Sequence, residues 1–135
     1  MINAVNVPVQ TVAANGTVLF QNTRIRTGCS VRHEQGSGRF VALKPGVYEV
    51  TYSGNVSIPT GGTVAPIILD LIQDGEAAAG SRVLLTPTAV ATPTTFSRTV
   101  LVKVFCDCCV TLSVRNSGTD AINVQDANFV ITREC

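Results

Sequence analysis

The segment GVYEVTYSGNVSI, residues 46–58, limits what this chain can become. Tyr48, Val50 and Tyr52 alternate strictly with Glu49, Thr51 and Ser53. Successive side chains of a strand point to opposite faces, so this period of two describes a β-strand with one face buried. CVTLSVRN (109–116) sets Val110, Leu112 and Val114 against Thr111, Ser113 and Arg115 in the same way. ANFVITRE (127–134) sets Phe129 and Ile131 against Asn128, Val130 and Thr132. APIILDLIQD (65–74) and FSRTVLVKVF (96–105) are apolar on both phases, which predicts strands covered on two sides.

Turn chemistry separates these runs at AANGT (13–17), EQGSG (34–38), KPG (44–46), PTGG (59–62), QDGE (73–76) and NSGTD (116–120). Asn15-Gly16 and Asp74-Gly75 are the strongest hairpin signals, because glycine supplies the positive φ of a tight turn. TPTAVATPTT (86–95) reads as a loop, and EAAAG (76–80) is too short for a helix. No capped stripe with helical period occurs. About ten short antiparallel strands at regular spacing predict an all-β jelly-roll sandwich.

The 135 residues suffice for one domain with its own core. Residues 1–12 read as an N-terminal arm and first strand, with Ile2, Val5, Val7 and Val9 as a docking segment, and residues 13–135 as the jelly roll. The chain is 45% hydrophobic but only 14% charged, where soluble domains average about 25% charged. A surface so poor in charge predicts self-association. The net charge is +1 with no basic run, which argues against a nucleic-acid partner. No apolar stretch is long enough to span a membrane. Residues 1–20 lack the charged start and apolar centre of a secretory leader, so folding in a cytoplasm is expected.

Few residues invite chemistry. His33 is the single histidine and stands at a hairpin end without a nucleophile motif around it, predicting a solvent-facing or subunit-contact role. No catalytic residue, cofactor or metal is expected. Asp70 interrupts an apolar strand and predicts an ion pair, with Arg98 or Arg82 as partner. The five cysteines are Cys29, Cys106, Cys108, Cys109 and Cys135. The spacing in CDCC (106–109) matches neither the paired C-x-x-C ligands of zinc sites nor a redox motif. Buried structural thiols, disulfides within or between chains, and a metal site stay open as readings. Val104–Phe105 is read as the end of one strand and Val110–Val114 as the next, with a tight reversal near Asp107.

Several stretches in order carry a resemblance that spans almost the whole chain. They are PVQTVAANGTVLFQNT (8–23), ALKPGVYEVTYSGNVSIPTGGTV (42–64), LDLIQDGEAAAG (69–80), TPTAVA, and CCVTLSVRNSGTDAINVQDANFVITRE (108–134). The chain resembles small jelly-roll proteins of anaerobic Gram-positive bacteria and their phages. These are similar to the C-terminal domain of collagen-like spore-surface glycoproteins, and so to the tumour-necrosis-factor and complement globular-head fold. CDCC is similar to a C-x-C-C element of the phage-associated relatives. The Gly-X-Y stalk of the spore glycoproteins is missing.

The resemblance implies a compact homotrimer without enzymatic activity, one sheet of which faces a threefold axis. Tyr48, Tyr52, Phe96, Leu101, Phe105, Phe129 and Ile131 are the expected core or trimer contacts. It further implies a structural protein on the exterior of a virion, a capsid decoration or head-fibre protein. Its partners would be its own copies and the major capsid protein or another surface-lattice protein. A trimer of the spore or cell surface with an adhesive or ligand-binding role is the alternative.

Overall fold

The structure, a computed structural model, describes residues 1–105 and 109–134. Among these residues there is no helix, and twelve strands make two six-stranded antiparallel sheets. The front sheet contains β1 (Ile2–Asn6), β2 (Gln10–Val12), β3 (Asn22–Arg26), β6 (Gly46–Ser57), β10 (Thr94–Val104) and β12 (Ile122–Arg133). The back sheet contains β4 (Val31–His33), β5 (Phe40–Ala42), β7 (Ile67–Gln73), β8 (Glu76–Ala77), β9 (Val83–Leu85) and β11 (Val110–Asn116). The front order is β10-β6-β12-β1-β3, with β2 also on β12; the back order is β4-β5-β11-β7-β8, with β9 on β7. From β10 onward each strand lies in the opposite sheet to the one before it, and this repeated crossing makes the sandwich a jelly roll. The excess over about ten strands comes from segments of two or three residues, such as β8 and β9, too short to show a period.

Alternation decides which side chains meet between the sheets. From β6, Tyr48, Val50 and Tyr52 point inward and are buried, as do Leu112 and Val114 from β11. Phe20, Phe40 and Phe129 form the aromatic centre; Phe20 meets the other two rings edge-on at 5.5 and 5.6 Å. Burying one such ring contributes about 2–3 kcal/mol.

β12 is longer than the expected 127–134 because its inward phase changes partway. Ile122 and Val124 face the core, and then Ala127, Phe129 and Ile131 do. A β-bulge between Gln125 and Asn128, with Asp126 at φ 53°, inserts the extra residue that moves the phase from even to odd positions.

The N-terminal reading holds for the first strand, which is β1, and needs correction for the arm. Residues 1–12 are not an arm separate from a domain at 13–135. β1 is hydrogen-bonded to β12 on one side and β3 on the other, and Ile2 and Ala4 are fully buried. Both edges of this strand are already paired, so it has no row of free backbone groups with which to augment another sheet. Val7 and Val9 are exposed, because the chain there passes the bulge, where Asp126 N–H donates to the Val7 carbonyl.

The two glycine turns differ. Asp74 (φ 50°) and Gly75 (φ 89°) form the two-residue hairpin between Gln73 and Glu76 that their sequence predicts. Asn15-Gly16 makes no hairpin. Asn15 has φ 64° but Gly16 does not share the positive region, and the segment crosses from β2 in the front sheet to the edge of β11 in the back sheet. There Asn15 N–H donates to the Asn116 carbonyl at 2.7 Å and Thr17 bridges Arg115.

Candidate functional site

The outward face of the front sheet is the most distinctive surface. Cross-strand register places Thr99, Thr51, Val130, Asn3 and Ile25 in one row over five strands. A second row holds Ser97, Ser53, Asn128 and Val5. Neither row contains a charge. Several polar groups of this face bond to each other: Asn3 Nδ2 donates to Asn128 Oδ1 at 2.6 Å, the Thr51 and Thr99 hydroxyls lie 2.9 Å apart, and Thr95 donates to Asn55 Oδ1 at 2.7 Å, while Arg24 Nη1 donates to Asn3 Oδ1 at 3.5 Å from the β3 edge. Cross-strand pairs of this kind fix register and hold side chains close to the sheet. Towards one end the face turns apolar and gains charge: Leu101 is 66% and Phe105 69% exposed, Val47 is exposed, and Lys103 Nζ sits 5.1 Å from the centre of the Phe105 ring. Glu49 lies opposite Leu101.

The residues expected as core or trimer contacts divide accordingly. Tyr48, Tyr52, Phe96, Phe129 and Ile131 are core. Leu101 and Phe105 are not; the phase of β10 turns Val100, Val102 and Val104 inward and leaves Leu101 outside. FSRTVLVKVF is therefore covered on one face, not two, within a single chain.

Both buried tyrosines keep their hydroxyls satisfied. Tyr48 donates to the Lys44 carbonyl at 2.7 Å, and Tyr52 donates to the Ser81 carbonyl. Burial pushes the Tyr52 phenol up to about 12, so it stays a donor.

Asp70 is paired, but the partner is Arg82 and not Arg98. Arg82 Nε and Nη2 each donate to one carboxylate oxygen at 3.0 Å. The Arg82 guanidinium beside Asp70, aided by a Ser117 bond, holds the carboxyl below its usual range against the opposing effect of burial. Arg98, on the front sheet, instead donates to the Gly80 carbonyl at 2.9 Å. Arg82 reaches Asp70 because β9, which it immediately precedes, pairs with β7.

His33 is neither in solvent nor poised for chemistry. It is buried and stacked on Phe40 at 4.3 Å. Nε2 lies 2.8 Å from the Ser37 carbonyl and Nδ1 2.7 Å from Thr23 Oγ1. Nε2–H therefore donates and Nδ1 accepts from the hydroxyl, which leaves neither nitrogen for a substrate.

Cys29 and Cys109 are exposed, so they do not pack as small core hydrophobes. Cys106, Asp107, Cys108 and Cys135 lie outside the described residues. β10 ends at Val104 in the front sheet and β11 begins at Val110 in the back sheet, so the two strands are not paired with each other; the reversal expected near Asp107 lies outside the described residues. Among the described residues no three His, Cys, Asp or Glu side chains converge to hold a metal.

No protein-family model matches the chain, and no curated sequence does. Solved structures are similar to it. Eiger TNF from S. frugiperda has a TM-score of 0.74 at 10% identity, over 99% of this chain and 92% of that one. Vertex protein P5 of PRD1 has 0.53 at 15% identity, over 98% and 94%. Rabbit GITRL has 0.51 at 18% identity, over 78% and 77%. At such identities the likeness establishes the fold, a tumour-necrosis-factor-like jelly roll, as the sequence resemblance implies.

Proposed function

We propose that this chain is a non-enzymatic structural protein that assembles as a homotrimer through the outward face of its front sheet and decorates the exterior of a virion. The observation that carries this reading is the uncharged, internally hydrogen-bonded double row from Thr99 to Val5 with exposed Leu101 and Phe105 at its end. Because Asn3, Asn128, Thr51 and Thr99 already have partners, burying this face against another copy costs less desolvation than burying unpartnered polar groups would, and its apolar end adds hydrophobic area. The virion part is supported by the likeness over nearly the full chain to a vertex protein, P5 of PRD1. The partner on the particle would be the major capsid protein or another protein of the surface lattice.

Light scattering on the purified chain tests the assembly. A trimer at micromolar concentration is expected, with Thr51→Arg and Val130→Arg yielding folded monomers by circular dichroism. A monomeric wild type sinks the proposal. Mass spectrometry of purified particles tests the location, and finding the protein on spore coats instead of virions would transfer it to the alternative surface.

A further inference from the structure

The back sheet carries a feature of a different kind. Its outward face holds a groove of about 400 Å3 between β4, β5, β11 and the segment at 17–19, within the size range of small-ligand clefts. Strand alternation aims its side chains. His33 and Phe40 turn inward, so Arg32, Glu34, Arg39 and Val41 turn outward. Val18 and Phe20 turn inward, so Leu19 turns outward to form an apolar patch on one wall.

Arg32 and Arg39 are exposed, and among the described residues neither guanidinium has an acceptor from the protein. Glu34, on the same groove, forms no ion pair with either. The chain thus maintains two arginines and one carboxylate side by side without spending them on one another, although Asp70 and Arg82 show that it forms such pairs elsewhere.

The wall that bears Glu34 and Arg39 is held firmly. Ser37 N–H donates to the Glu34 carbonyl at 3.0 Å, Arg39 N–H donates to Ser37 Oγ at 3.0 Å, and Gly36 N–H donates to the Phe20 carbonyl at 2.9 Å. His33 Nε2–H donates to the Ser37 carbonyl from below. Gly38 lies so near the Val18 carbonyl that any side chain would collide with it. A groove formed in advance loses little entropy when it is filled.

We propose that this groove binds an acidic saccharide. Its carboxylate is held by the Arg32 and Arg39 forks, its hydroxyls donate to Glu34 and bond Ser37 and Ser113, and its C–H face lies on Leu19 and Val41. Guanidinium forks fit a carboxylate in two-point geometry. Glu34 repels a bare anion but accepts from sugar hydroxyls, so it selects a polyhydroxylated acid over inorganic phosphate. The proposal stands on the back sheet alone and is independent of how the front sheet is used.

Isothermal titration and heteronuclear NMR on the full chain test it, with a glucuronate-bearing hyaluronan hexasaccharide and sialyllactose as acidic probes, and lactose and inorganic phosphate as controls. Binding of either acidic probe is expected at millimolar concentration, with shifts centred on Arg32, Arg39 and Ser113 and weakening as salt is raised. Arg32→Gln and Arg39→Gln should each weaken binding roughly tenfold or more, with Arg32→Lys in between and thermal stability unchanged in all three. If neither acidic probe binds, if the arginine variants bind as well as wild type, or if phosphate or lactose binds as tightly as the acidic sugars, the proposal falls.

Discussion

Phe40 and Phe129 stack face to face across the sandwich, their ring centres 3.9 Å apart and their planes 11° apart. One ring comes from β5 of the back sheet and the other from β12 of the front sheet, so this contact links the two layers at the core. Phe129→Ala should cost about 3–5 kcal/mol. Leu84→Ser, at a 65% exposed site, should change stability by no more than about 0.5 kcal/mol. Urea unfolding followed by fluorescence and circular dichroism compares the two through their midpoints at constant slope.

The Asp70–Arg82 pair predicts an acid-sensitive component of stability. An unfolded aspartate titrates near about 3.9, and the folded carboxyl titrates below its usual range. Between those values the unfolded chain binds more protons, so stability falls as pH falls; the contribution is complete above the unfolded value. Thermal melts taken from neutral pH into the acid range should show this loss in wild type and a flatter profile in Asp70→Asn and Arg82→Gln. Arg98→Gln should keep the wild-type profile. An unchanged acid slope in Asp70→Asn would contradict the assignment.

Gly38→Ala tests the close approach of the 34–39 turn to the segment at 17–18. The added carbon meets the Val18 carbonyl and the Thr17 methyl, and backbone cannot yield as the tip of a side chain can. A loss of about 1–3 kcal/mol is expected, together with shifted amide resonances at Val18 and Phe20. Spectra that match wild type would show that the two segments stand further apart.

Removing residues 1–8 should prevent folding, not merely attachment, because it exposes an edge of β12 and empties the places of Ile2 and Ala4. Val7→Ser combined with Val9→Ser, at exposed sites, should fold normally. The amide spectrum of each variant decides: a dispersed spectrum from the truncated chain would restore the reading of residues 1–12 as a docking arm outside the folded core.

Wherever alternation ran unbroken, the fold was legible from the chain. β6 and β11 begin and end within a residue or two of where the period does, and Asp74-Gly75 turns as its chemistry requires. The bulge at Gln125–Asn128 concealed the first half of β12, because an inserted residue reverses the phase on which the reading depends. INAVN looked like an arm because a short apolar strand has the same pattern whether it pairs within its own chain or with another. Leu101 and Phe105 are apolar and exposed, which no single-chain burial rule anticipates. Arg82 and Arg98 were equivalent as partners for Asp70 until the pairing of β9 with β7 brought one of them within reach. The back groove left no local signal, since Leu19, Arg32, Arg39 and Ser113 meet only through three-dimensional closure.

β12 lies in the front sheet between β6 on one side and β1 with β2 on the other, although it comes last of the twelve strands in chain order. Before β12 is made, β1 has only β3 beside it, β2 has no partner in that sheet, and β6 lacks a neighbour on one side. The sandwich therefore closes only after synthesis has passed Arg133, in a step dominated by contacts remote in sequence, which places folding in the millisecond-to-second range. Until then the edge of β6 is open to any other strand, and nascent chains on one messenger are exposed to the wrong pairings that chaperones prevent.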